Sequence, residues 1–389
     1  MKTTMGLAMQ PLSLGVIGLG MAGSVMVYAA SQHPGVRLVA AADPQSAPRE
    51  AFTRDFGGDA YSDARQVCER ADVEAVYIAT PHQFHREHAI MAANCGKHIL
   101  VEKPLALTLE DCDAIIEAVD RNGVHLIVGH THGFDPGVRL MRQLIRSGEV
   151  GDLGLIAMWN YTNFIYRPRR PEELDTTRGG GILFNQIPHQ LDTIRVLGGD
   201  IASVRGYARR LDPSRPTEGL ASAMIQLRNG AAATLVYSGY DHFDADEFHH
   251  WIAESGAAKP PDQHGAAFRA LAARTQDETR LRIDTFALGA RPYTSPQHQP
   301  HFGAMIVTCA KADLRASRDG VLVYGADGPR ELTIDNRPGV PGRNEALDDL
   351  IAAAHRNVPS LHDARWGRES LRAVLALQLS ALEGREIAL

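Results

Sequence analysis

The sequence predicts an α/β fold, in which an N-terminal doubly wound Rossmann domain precedes an α+β domain with an open, mostly antiparallel sheet. Three observations carry this expectation. Short apolar runs alternate with longer amphipathic ones as far as Gly129, a glycine-rich turn closes the first of these runs, and beyond Pro136 the runs lengthen and turn half polar. Apolar strands separated by helices imply right-handed crossovers and a parallel sheet covered on both faces, so such strands lack polar alternation.

In chain order, Leu14 to Ile17, Val36 to Ala42, Ala75 to Ala79, His98 to Val101 and His125 to Gly129 read as the strands of the first domain, residues 1–132. The pattern changes at Phe134-Asp135-Pro136, which opens the second domain, 133–389, with a helix over Gly137 to Ser147 and a turn at Gly148-Glu149-Val150-Gly151. Leu153 to Phe164, Ile201 to Arg209, Ala221 to Leu227 and Ala231 to Ser238 alternate partly, as strands of a sheet with one uncovered face do. Such faces pair between subunits, so a homodimer or homotetramer through this sheet is expected. The stretch of about 240–300, rich in His, Asp, Pro and Gln, reads as an inserted excursion with a helix over Gly265 to Thr275. Met305 to Leu314 and Gly320 to Tyr324 resume strand character, and Glu345 to Arg356 and Trp366 to Glu383 read as terminal helices.

Composition narrows the function. The 389 residues are 44% hydrophobic, enough for two packed cores. Forty Lys and Arg against 46 Asp and Glu leave a net charge of −6, so no general basic field recruits nucleic acid or an anionic membrane. Four cysteines without a C-x-x-C pair fit neither a disulfide framework nor a structural zinc module. No signal-peptide core stands in residues 1–11 and no run reaches about 18 apolar residues, so a soluble cytoplasmic protein is expected.

Gly18-Leu19-Gly20-Met21-Ala22-Gly23 follows an apolar strand and opens a helix. Its glycines permit a tight turn, close approach of a pyrophosphate and close helix packing, with the helix N-terminus facing the phosphates. Asp43 ends the second strand 20 residues beyond Gly23, where a carboxylate receives the adenosine ribose hydroxyls. Pro44-Gln45 offer no cation for a 2′-phosphate, which favours NAD over NADP, with Arg49 as the one nearby cation. Thr80-Pro81, with His82 and His85 beyond, and Glu102-Lys103-Pro104 stand at carboxyl ends of strands, the edge where open α/β sheets bind ligands.

These motifs, with Gly179-Gly180-Gly181 and His189-x-x-Asp192, resemble the Gfo/Idh/MocA family of glucose-fructose oxidoreductase and inositol dehydrogenase. The resemblance implies that Lys103 and His189 line the site where a secondary alcohol meets the nicotinamide. It also marks departures from the polyol pattern: Asn185 where polyol enzymes commonly carry Asp, His82 where Asn often follows A-T-P, and Gly133 where Arg precedes F-x-P. Further matches at Ala79 to His85, Gly129-His130-Thr131-His132, Tyr166 to Asp175 and Tyr237-Ser238-Gly239-Tyr240 resemble the phthalate 4,5-cis-dihydrodiol dehydrogenases within that family. This implies NAD-linked oxidation of cis-4,5-dihydro-4,5-dihydroxyphthalate to 4,5-dihydroxyphthalate, the alternative being a sugar, inositol or other polyol.

The residues accommodate that chemistry. His189 or Lys103 can take the hydroxyl proton, and spacing leaves open which does. Arg167, Arg169, Arg170 and Arg178, beside Tyr166, suit bidentate carboxylate recognition, although Glu172, Glu173 and Asp175 can absorb most of their charge, three of the four arginines, in surface pairs. His130, His132 and Asn185 complete the expected substrate site. A metal site built on His82, His85 and His88 with His130 and His132 is a reading of a different class, as is an NAD-sensing repressor; no metal is expected, and no basic recognition helix is visible.

Overall fold

The computed structural model describes residues 10–129, 132–290 and 293–389. Its first sheet is built from β1 (Leu12–Ile17), β2 (Val36–Ala42), β3 (Asp59–Tyr61), β4 (Ala75–Ile78), β5 (His98–Glu102) and β6 (Leu126–Gly129), all parallel, in the order β3-β2-β1-β4-β5-β6. Between them run α1 (Met21–Gln32), α2 (Ser46–Phe56), α3 (Ala64–Cys68), α4 (His85–Asn94) and α5 (Leu109–Asn122). The strand order reverses between β1 and β4, and the crevice at that switch point is where such sheets hold ligands. β1 and β4 are buried at every position, as expected of central strands covered on both faces. The three-residue β3 is an addition to the sequence reading; its Asp59-Ala60-Tyr61 has no apolar run to reveal it and pairs only with the end of β2.

The second sheet comprises β7 (Leu153–Tyr161), β8 (Ile201–Arg209), β9 (Leu220–Leu227), β10 (Ala232–Ser238), β11 (Ala304–Cys309), β12 (Asp313–Ala316), β13 (Gly320–Gly325), β14 (Gly328–Thr333) and β15 (Ile387–Ala388). Its order is β14-β13-β12-β11-β7-β10-β9-β8-β15, and every pair is antiparallel except β7 with β10. The run expected over Met305 to Leu314 is two strands folded as a hairpin, and β14 was not anticipated because Gly328–Thr333 is almost wholly exposed and polar. One face of the sheet packs on helices α6 (Pro136–Arg146), α7 (Gly181–Asn185), α8 (Ile187–Gly198) and, after α9 (Ala266–Ala272), α10 (Glu278–Phe286) and α11 (Arg343–Arg356), on α12 (Ala364–Glu383). Burial of Ile156, Met158, Ala233, Leu235 and Ile225 alternates with exposure of Leu155, Trp159 and Met224, so the other face is uncovered.

Residues 132–135 link β6 to α6. The chain nevertheless returns: Leu347 and Leu350 of α11 share a buried cluster with Leu14 and Val16 of β1 and with Phe134, so the C-terminal quarter packs on the first sheet as well as the second. The excursion after β10 also crosses back. The Leu288 N–H donates to the Leu19 carbonyl at 3.0 Å and the Tyr293 ring lies 4.0 Å from that of Tyr28, fastening the excursion over the glycine turn.

Candidate active site

A cleft of about 1230 Å³ opens at the carboxyl edge of the first sheet and runs on between that sheet and the helices of the second. At one end lies the glycine turn. Gly18 has φ of +96°, and a Cβ there would stand 2.7 Å from the Ala79 carbonyl oxygen; one on Gly23 would stand 1.9 Å from that of Gly18. Both positions are therefore closed to any side chain. A Cβ on Gly20, by contrast, would meet nothing within 4 Å, which is the open approach a pyrophosphate needs above the α1 N-terminus with Met21 and Ala22. Asp43 ties the turn to the next strand, one carboxylate oxygen accepting from the Leu19 N–H at 2.8 Å and the other from Gln45 N–H at 2.9 Å. Arg49 is spent on the backbone carbonyls of Asp43 and Pro44, at 2.8 and 2.9 Å. The residues present thus fit a dinucleotide, with the glycine turn under its phosphates and Asp43 at the ribose.

Deeper in, Thr80, Pro81, His82, Glu102 and Lys103 line the cleft. His82 donates its Nδ1–H to the Gly179 carbonyl at 3.1 Å, joining the first domain to the glycine run of the second; burial holds its pKa well below the ordinary value, so the ring is neutral. Glu102 accepts from the Tyr77 hydroxyl at 2.5 Å and pairs with Arg343 of α11 at 3.3 Å. Its carboxylate is a strut between domains and is committed before any cofactor arrives. Lys103 donates from Nζ to the Asn185 carbonyl at 2.8 Å, and burial lowers its pKa to about 8.

His189, His132 and Phe302 line the same cleft. The His132 and His189 rings meet edge to face at 4.9 Å, both against Phe302, and His132 Nδ1 bonds the buried Asp135 carboxylate at 2.9 Å. Burial raises Asp135 to about 6 despite that partner. Asp192, one turn along α8 from His189, accepts from Trp366 Nε1 at 2.6 Å and lies 3.2 Å from His362 Nε2. A Cβ on Gly133 would stand 1.9 Å from that carboxylate and 2.7 Å from His362 Nε2, so the close backbone approach leaves no room for a side chain there.

The arginines separate into different surroundings. Arg169 is buried, donates twice to the Phe164 carbonyl at 3.1 and 2.9 Å and lies 3.6 Å over the Phe164 ring. Glu173 is shared by Arg169, Arg170 and Arg282 at 3.8, 3.5 and 2.9 Å, Glu172 pairs with Arg170 at 3.3 Å, and Arg167 stands 3.9 Å from Glu254. Arg178 is exposed on the cleft lining and has no ion pair among the described residues. Five guanidiniums therefore face three carboxylates at this end.

Two expected site residues lie elsewhere. His85 is fully buried and sets its ring nitrogens against the Pro104 and Thr80 carbonyls at 2.8 and 2.9 Å, so it clamps two loops behind the cleft and does not line it. Both nitrogens face carbonyls, which also removes it from any metal set. Tyr166 is likewise buried away from the cleft, its hydroxyl donating to Asp212 at 3.0 Å. His130 lies outside the described residues. Asn185 lines the cleft, but its side-chain amide donates to the Gly181 carbonyl at 2.8 Å, a bond that an acceptor-only carboxylate cannot make. No group of three metal-binding side chains assembles among the described residues. Arg282, Glu254, Phe302 and Arg343 were missed; they come from the excursion and from α11, where no local pattern marks them.

Residues 12–130 match the model of the oxidoreductase family Gfo/Idh/MocA with its NAD-binding Rossmann fold, and 138–253 match that family's C-terminal domain. Over 387 residues and 94% of both chains, the sequence is 39% identical to 1-carboxy-3-chloro-3,4-dihydroxycyclohexa-1,5-diene dehydrogenase of Comamonas testosteroni. The chain belongs to the Gfo/Idh/MocA family. It is an NAD-dependent dehydrogenase. Within the family, levoglucosan dehydrogenase of Pseudarthrobacter phenanthrenivorans is 33% identical over 57% of this chain and 60% of its own. A solved structure from Bordetella bronchiseptica RB50 superposes with a TM-score of 0.94 at 46% identity over 98% of this chain and 100% of that one. Levoglucosan dehydrogenase in complex with NADH and levoglucosan shares the fold, with a TM-score of 0.73 at 21% identity over 97% and 99% of the two chains. No helix among the described residues is long and apolar enough to cross a membrane.

Proposed function

We propose that this Gfo/Idh/MocA enzyme oxidises a carboxylated cis-dihydrodiol of a cyclohexadiene, with cis-4,5-dihydro-4,5-dihydroxyphthalate as the substrate its motifs favour. One observation carries the reading. Five guanidiniums against three carboxylates leave uncompensated positive charge beside Lys103 and His189, where a neutral polyol would need none and a carboxylate needs forked donors. The Comamonas testosteroni relative, named for a carboxylated dihydroxycyclohexadiene, supports it from outside the chain.

When bound, NAD accepts the hydride from the carbinol carbon. The chain's own part is to place the diol and remove its hydroxyl proton. Lys103, held by the Asn185 carbonyl, offers an amine lowered to about 8 that takes that proton once neutral, and His189 in the same cleft hydrogen-bonds the same oxygen or shares the proton. Loss of hydride and proton leaves a hydroxy-enone that tautomerises to the catechol, with aromaticity as the driving force. Arg167 and Arg178, the two arginines least committed to Glu173, hold the carboxylates. The uncovered sheet face, with Trp159, Tyr207 and Met224, is the surface through which a homodimer or homotetramer forms.

Initial rates with NAD on cis-dihydrodiols bearing two, one or no carboxylates, beside myo-inositol and glucose, test the assignment. Turnover rising with carboxylate number is expected. A preference for inositol or glucose would sink it, and a preference for the monocarboxylate would move the substrate from the phthalate to the benzoate series.

A further inference from the structure

On the other side of the Gly133 backbone, α6 carries Arg139, Arg142 and Arg146 along one stripe, at the three- and four-residue spacings that bring side chains together on a helix face. They line a second cavity, of about 560 Å³, between α6 and the turn from α11 to α12, which shares no lining residue with the catalytic cleft. Among the described residues, Asp349 is the only carboxylate on its wall. That group is already taken, accepting from Arg139 at 3.0 Å and from the Ser360 hydroxyl at 2.8 Å. Arg142 and Arg146 have no ion pair among the described residues, although Arg142 is partly buried and its burial and both neighbouring arginines lower its pKa. Three guanidiniums beside a single carboxylate repel one another, and an oxyanion relieves that repulsion while matching their forked donors. The cavity is much larger than a phosphate ion, and Val196, Val358 and Leu361 give it an apolar side.

From this charge and shape we infer that the cavity is a binding site for a small organic dianion, a phosphate monoester or a polycarboxylate, held by Arg142 and Arg146 with Arg139 alongside. The site is separate from the dehydrogenase reaction and does not depend on the identity of its substrate.

Isothermal titration of the intact protein at low ionic strength, with glycerol 3-phosphate in one arm and citrate in another, tests this and distinguishes the two chemistries. Saturable binding of about one equivalent of at least one probe is expected, weakened tenfold or more in Arg142→Gln and in Arg146→Glu and unchanged in Arg167→Gln, which reports on anions in the catalytic cleft. Arg146 is exposed, so its variant keeps the test valid if Arg142→Gln fails to fold. Absence of saturable binding by both probes, survival of binding in Arg146→Glu, or its loss in Arg167→Gln would overturn the inference.

Discussion

Lys103 shows how burial converts an ordinary surface cation into a group that works near neutral pH. With its pKa lowered to about 8, the amine is mostly protonated at pH 7 and mostly neutral at pH 9. If it is the proton acceptor, kcat/KM for oxidation rises through about pH 8 and levels off above it. Lys103→Met is expected to lose that limb and to lower kcat by ~10² or more with NAD affinity nearly unchanged. A pH profile flat from 7 to 9 in the unaltered enzyme would remove Lys103 from that role and leave His189. Asp43 acts at the other end of the cleft. Asp43→Ala should narrow the preference for NAD over NADP by about 1 to 3 kcal/mol, measured as the ratio of kcat/KM for the two cofactors. Gly18, Gly23, Asp43 and Lys103 were legible in the sequence because each stands at a fixed distance from a strand end, and strand ends are what the crevice is made of. His85 was not, since a histidine one turn beyond Thr80-Pro81 reads the same whether its ring faces the cleft or the Thr80 and Pro104 carbonyls behind it.

Among the elements, the short 3₁₀ turns between β7 and α7 decide most. They divide one arginine-rich stretch into a structural half and an accessible half. Arg169→Ala removes two bonds to the Phe164 carbonyl and the ring contact beneath, so a stability loss of about 2–4 kcal/mol in urea denaturation is expected. Arg167→Ala and Arg178→Ala should leave stability nearly intact and raise KM for a carboxylated dihydrodiol about tenfold, with no comparable change for the uncarboxylated one. If neither moves KM, these arginines serve the surface alone. At the junction before α6, Gly133→Ala must push Asp192 off Trp366 and His362, costing about 1–3 kcal/mol and reducing kcat because α8 carries His189 one turn away. Circular dichroism melting and kcat on the same preparation check both. The sequence marked Gly133 only as a departure from a motif; the close backbone approach that requires it joins residues 59 positions apart.

At the scale of the molecule, the uncovered face of the nine-stranded sheet exposes Leu155, Trp159, Tyr207 and Met224. Trp159 and Tyr207 stand in one cross-strand row through Val236 and Ser222, and Met224 in the next. Apolar side chains in neighbouring rows make a contiguous patch of the kind that marks an interface. Trp159→Glu together with Met224→Glu should therefore yield monomers by light scattering while the unaltered chain elutes as a dimer or tetramer. A monomeric unaltered chain would assign the face to some other contact. Within one chain, α11 and the excursion after β10 hold the two sheets together, through Leu347 and Leu350 on β1 and through Leu288 on the glycine turn.

By itself the sequence determined the parallel sheet, the cofactor turn, the polarity of the cleft edge and the alternation that leaves one sheet face uncovered. These follow from local periodicity and from motifs whose residues are neighbours in the chain. Packing between distant segments set how firmly each arginine is held. Arg169 and Arg167 are two residues apart and both reach the cleft, yet one is buried over Phe164 beside Glu173 and the other is half-buried, bonded to Asn163 and 3.9 Å from Glu254. It also brought Arg282, from more than a hundred residues away, onto the same carboxylate, and stacked Arg139, Arg142 and Arg146 against a turn reached some two hundred residues later. Charge compensation depends on distance in space, and in a chain that crosses twice between its sheets that distance is set by packing far along the sequence.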